Sequence, residues 1–115
     1  MTNLSFRKLE VYQVAKQELE VVLAQRGQWR GLPGEIGPQL ERAMVSVVLN
    51  IAEGAGRWTA PDQRRHYQIA SGSATEAAAC VEMAMLYGAP RATCEQIDGL
   101  LGRVAQMLAA LIRRR

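Results

Sequence analysis

The sequence predicts an all-α fold, an antiparallel up-and-down four-helix bundle. Three observations lead there. Apolar residues recur at helical spacing in four stretches, each bounded by capping or breaking residues. Aromatic residues are only 5% of the 115, while apolar residues are 49% and rich in alanine; this composition suits helices and argues against a sandwich or barrel. Short loops join three of the four helices, which makes sequence neighbours antiparallel. A chain of this length is one domain spanning residues 1–115, with a modest core that association with copies of itself would help.

The first helix is expected over residues 5–26. Leu9, Tyr12, Ala15, Leu19, Val22 and Leu23 follow its apolar face, Ser5 serves as N-cap and Gly27 as the stop. Gly27 to Pro38 holds four glycines and two prolines and reads as a loop, with Trp29 and Leu32 packing down as a lid. The second helix spans 38–55, with Pro38 in its first turn and Gly54 and Gly56 at its end. From Ala43 to Ala52 only Ser46 and Asn50 are polar, so it is either central or faces another subunit as well. Thr59, Pro61 and Asp62 start the third helix, over 60–87, whose small residues Ala70, Gly72, Ser73, Ala74 and Ala77 admit a close neighbour. Gly88 and Pro90 end it. Thr93 and Gln96 form a capping box for the fourth helix, over 93–113, which carries Ile97, Leu100, Leu101, Val104, Leu108 and Leu111.

Charge and motif content exclude several classes. Fourteen basic against eleven acidic residues give +3, a mild excess that permits a nucleic-acid partner without requiring one. No apolar run reaches the roughly 18–20 residues of a membrane span, so no membrane partner is expected. Cys80 and Cys94 have neither metal-ligand nor redox spacing, and two free thiols without an export signal favour a reducing cytoplasm. No cofactor and no metal site is expected.

The most informative feature is a polar stripe on the second helix. Arg42, Ser46, Asn50, Glu53 and Arg57 are spaced four, four, three and four apart, which places them in one narrow band. Arg65, Ile69, Ser73 and Glu76 form a matching band on the third helix. Such a stripe either fixes helix register and subunit contacts or offers a ligand surface. A catalytic pair, Glu53 with Glu76, is a further alternative, as is a nuclease site that adds His66; no nucleophile motif marks either. The lone His66 reads as a surface or interface histidine. Glu53-Gly54-Ala55-Gly56-Arg57 looks like a phosphate loop but has no strand before it, and so reads as a helix end. Three basic clusters remain: Arg57, Arg64 and Arg65; Arg103 with Arg113, Arg114 and Arg115; and Arg7 with Lys8. A ring of subunits would repeat each cluster and strengthen salt-dependent phosphate binding. Apart from Trp58 and Tyr67 no aromatic stacking platform accompanies the arginines, so sequence-specific reading of a single strand has little support.

Together, Phe6, Leu9, Glu10, Val11 and Tyr12, then Arg42-Ala43, Ser46, Asn50-Ile51-Ala52-Glu53-Gly54 and Gly56-Arg57, then Ile69-Ala70, Gly72-Ser73 and Glu76, resemble the four helix bundle protein family, also called 23S rRNA-intervening-sequence proteins. The resemblance covers about residues 6–112. It implies an up-down bundle assembled as a homopentamer. Some members are encoded inside insertions in large-subunit ribosomal RNA genes, and the fold is similar to the accessory variability determinant of diversity-generating retroelements, a basic pentamer that binds nucleic acid. Arg42, Ser46, Asn50, Glu53, Gly54 and Arg57 match the central motif, and Gly72, Ser73 and Glu76 the second. Two positions depart: Glu41 stands where an arginine is expected, and Val48 where proline is common, which should straighten the second helix.

The reading is therefore a non-catalytic homo-oligomer, a pentamer by resemblance, that binds RNA or DNA or acts as an adaptor. Arg57, Arg64, Arg65, Arg103 and Arg113 to Arg115 would contact phosphates. Arg42, Ser46, Asn50, Glu53, Gly54, Gly72, Ser73 and Glu76 would hold the bundle and its subunits. The alternative is an oligomeric scaffold whose partner is a protein.

Overall fold

A computed structural model describes residues 2–114. Helices dominate it, and no strand occurs among the described residues. Four long helices carry the fold: α1 (Glu10–Ala24), α2 (Ile36–Ala55), α3 (Ala60–Leu86) and α4 (Arg91–Arg114). α2 packs against α1 and α3, and α4 packs against α3 and α1. The buried side chains form a contiguous core, with Trp29, Tyr67, Leu40, Met44, Ile51, Ile97 and Leu108 as its bulk. Alanines Ala70, Ala74, Ala77 and Ala84 line the inner face of α3. Without long side chains there, neighbouring helices come close.

The first helix is shorter than the periodicity suggested. Ser5–Lys8 form a separate 3-10 turn, and Leu9 is extended before α1 begins. Ser5 is therefore no N-cap. The turn is held by its own contacts instead. The Phe6 ring meets Tyr12 edge-on at 4.9 Å, the Arg7 guanidinium lies 4.7 Å above Phe6, and Gln13 Nε2 donates to the Arg7 carbonyl at 2.9 Å. At the other end, Gln25 breaks α1 and Gly27 lies inside a one-turn helix, Arg26–Trp29. That turn is pulled inward because the buried Trp29 donates its indole N–H to the Val22 carbonyl at 3.1 Å. Trp29 thus closes the core as a lid, with Leu32 partly buried beside it.

α2 starts at Ile36, two residues before Pro38. Left-handed Gly34 and Glu35, at φ 69° and 58°, reverse the chain just ahead. Proline is tolerated anywhere in a first turn, where the amide it lacks has no partner. Val48 lies in mid-helix and α2 runs unbroken past it. α3 begins as expected, with Thr59 Oγ1 accepting from the Asp62 amide at 3.3 Å. Gly88, at φ 91°, takes the left-handed conformation that ends it. α4 begins before Thr93, because the Pro90 carbonyl already accepts from the Cys94 amide at 3.1 Å; Thr93 lies inside the first turn and does not cap it.

Candidate functional site

The two polar bands meet between α2 and α3. Ser46 and Ser73 share a hydrogen bond of 2.8 Å across the helices. One turn along α2, Asn50 Nδ2 donates to the Ser46 carbonyl at 2.9 Å and to its hydroxyl at 3.2 Å. Asn50 Oδ1 lies 3.1 Å from His66 Nδ1. Because the Asn50 amide nitrogen is spent on Ser46, its oxygen accepts, and the His66 Nδ1 carries the proton. His66 Nε2 then lies 3.6 Å from Glu53 Oε2, which accepts from Arg57 Nη2 at 2.8 Å. A hydrogen-bonded chain thus runs Ser73, Ser46, Asn50, His66, and the Glu53–Arg57 pair lies beyond its end, with Glu53 outside hydrogen-bond distance of the imidazole. As numbers rise along α2, the partners on α3 fall.

Of the two expectations for His66, surface or interface, its position between α2 and α3 fits the second in that it is a contact between helices. Its side chain is 13% exposed, hydrogen-bonds Asn50 and lies near Glu53. The signal was in the spacing: seven residues, two helical turns, separate His66 from Ser73 on one face. Gly54 explains how the helices come so close at this point. A Cβ there would lie 2.7 Å from Tyr67 Cε1, inside contact distance of a buried ring.

The other expected site residues divide. Glu76 is not part of the chain. Its charge, opposed by Arg42, reaches the Cys80 thiol, whose pKa burial pushes up first and Glu76 second. The structure therefore brings Glu53 to His66 and does not pair it with Glu76. Arg42 is exposed, and Gly72 is exposed with open space where a Cβ would go. Arg65 is exposed, Arg64 half-buried, and both follow the α2–α3 turn. Arg103 donates to Glu10 at 3.1 Å, linking α4 to the start of α1. Leu9, Glu10 and Val11 share a surface groove with Met107, Leu111 and Arg114, so the start of α1 lies beside the last turns of α4. Arg113 and Arg114 are exposed there, and Arg115 lies outside the described residues. Glu41, the departure from the expected arginine, is held by Arg26 in a two-point pair at 2.7 and 2.9 Å, which keeps its carboxyl below the usual range.

One feature escaped the sequence reading. Glu18 on α1 is fully buried, with both carboxylate oxygens lacking a hydrogen-bond partner. Burial, with a smaller contribution from Asp98, pushes its pKa up to about 8. The second helix, expected to be central or to face another subunit as well, carries exposed apolar residues beside those of α3. Val45 and Leu49 on α2 and Ile69 and Met83 on α3 are 40–59% exposed, close to the rows that carry Ser46 and Ser73. Among the described residues, no group of His, Cys, Asp and Glu is arranged to hold a metal, and no helix is long and apolar enough to cross a membrane.

Residues 7–110 match the family described as 23S rRNA-intervening sequence protein. No curated protein matches the chain. With nearly its whole length matched, this chain belongs to the 23S rRNA-intervening sequence protein family.

Proposed function

We propose that this member of the family is a non-catalytic homo-oligomer, a pentamer by family resemblance, that binds nucleic acid, RNA in preference to DNA, through one basic end of an antiparallel up-and-down bundle. The observation that carries the reading is how the charges sort along such a bundle. Its α2–α3 turn, the start of α1 and the end of α4 share one end. The falling α3 partners of α2 and the contact of α1's start with α4's end both support that layout. That end gathers Arg7, Lys8, Arg57, Arg64, Arg65, Arg113 and Arg114 against Glu10, Glu53 and Asp62. The opposite end holds Arg26, Arg30, Arg42 and Arg91 against Glu20, Glu35, Glu41, Glu82 and Glu95. A modest net charge is thereby concentrated on one surface, and a ring would multiply it.

The polar chain from Ser73 to His66 has a structural role in this account. The Ser46–Ser73 and Asn50–His66 hydrogen bonds join α2 to α3 and set their register. The apolar residues Val45, Leu49, Ile69 and Met83, with Gly72 between them, form the surface for a second copy. Small and apolar groups outside a core suit such a contact.

The test is a binding titration with labelled RNA and DNA at several salt concentrations. Phosphate binding predicts an affinity that falls linearly in log–log form, with a slope of roughly −0.7 to −0.9 per phosphate neutralised. Replacing Arg65, Arg113 and Arg114 by alanine should flatten that slope. Binding that ignores salt, or no binding, would instead favour the scaffold with a protein partner.

A further inference from the structure

Trp58 is 99% exposed, although an indole offers about 150–250 Å² to bury. The chain on either side of it is hydrogen-bonded. The Gly56 amide donates to the Ala52 and Glu53 carbonyls at 3.2 and 3.1 Å, and the Arg57 amide to Gly54 at 3.2 Å. Gln63 Nε2 returns to the Arg57 carbonyl at 3.0 Å, and Thr59 caps α3 directly after. A turn hydrogen-bonded on both flanks thus displays a large aromatic face to solvent, with Arg57 on one side in sequence and Arg65 on the first turns of α3. Tyr67, the other aromatic near these arginines, is buried and takes no part.

We propose that Trp58 is a stacking platform for an unpaired nucleobase, with the neighbouring arginines holding the adjoining phosphates. The inference rests on the nucleic-acid reading above and narrows it to single-stranded segments. A base inside a duplex already has both faces stacked, whereas a flexible single strand can lay one on the indole. Charge favours this occupant over a second copy: Arg57, Arg64 and Arg65 outnumber Glu53 and Asp62 at this turn, so two copies meeting here would bring net positive surfaces together. The ordered turn keeps the entropic cost of capture low.

Fluorescence tests this directly, because the other tryptophan, Trp29, is buried and only Trp58 meets solvent. The full-length protein is titrated at low salt with single-stranded oligo(U) and with an RNA duplex of equal length. Single strand should quench the solvent-exposed emission, and duplex should not. Trp58→Ala should weaken single-strand binding by about 5- to 150-fold and leave duplex binding unchanged, while Trp58→Phe should keep most of the affinity. Salt-dependent binding with unchanged emission, or unchanged single-strand affinity in Trp58→Ala, would overturn the stacking role and leave the basic-end reading standing. No binding of either RNA would overturn both. A concentration-dependent blue shift of Trp58 without RNA would assign it to a subunit contact and overturn the inference.

Discussion

Glu18 should make the bundle lose stability as pH rises. The residue is wholly buried and neither oxygen has a partner, so the charged form is strongly disfavoured in the folded state. The folded chain holds the proton up to about pH 8, whereas the unfolded chain releases it near the ordinary value of 4.5. Between those values the native state binds more protons, so unfolding releases one and stability falls with pH. The contribution is fully present below about 4.5 and lost as pH rises to about 8, at roughly 1.4 kcal/mol per unit. The whole span amounts to about 5 kcal/mol, of which about 3 is already lost at neutrality. Against a typical total of about 5–15 kcal/mol, this dominates the alkaline side. Glu18→Gln keeps the shape and removes the ionisation. Denaturant melts at fixed protein concentration should show the variant gaining on the parent by several kcal/mol between pH 5 and 8. Asp98→Asn should recover a smaller part, since Asp98 is the lesser cause. A parent-to-variant difference that stays constant over that range would refute the reasoning.

Two further outcomes follow from the helix contact. Gly54→Ala should destabilise by about 1–3 kcal/mol because its methyl group meets Tyr67, whereas Gly72→Ala, with open space around it, should cost the protomer nothing; equal melting temperatures would refute the packing argument. Asn50→Leu leaves the Ser46 carbonyl without its side-chain donor and His66 Nδ1 without an acceptor, and should cost about 1–3 kcal/mol or change the oligomer mass; unchanged mass and melting would count against the polar chain.

Much of the fold was legible in local chemistry. Thr59 and Gly88 act as cap and stop as their types suggest, because both bonds are made within a few residues. The misread boundaries were set by contacts distant in sequence or by competing local groups. Ser5 lost its capping role to a turn fastened by Phe6, Tyr12 and Gln13, and Gly27 was overridden by the burial of Trp29. In the site, the helix-two stripe was visible from its spacing. Its link to His66 was not, since it depends on the stagger of α3 against α2. Glu18 could have been found: with Val14, Ala15 and Val22 it lies on the buried stripe of α1 at helical spacing. The exposure of Trp58 had no local signal, because nothing in its neighbours distinguishes a displayed indole from a packed one.

The most direct test of the account is the absolute mass of the purified protein by light scattering, with nucleic-acid content read by ultraviolet absorbance at low and high salt. A pentamer of this 12.7 kDa chain, about 64 kDa, carrying nucleic acid that leaves at high salt is the predicted result. A monomer free of nucleic acid at low salt would contradict it.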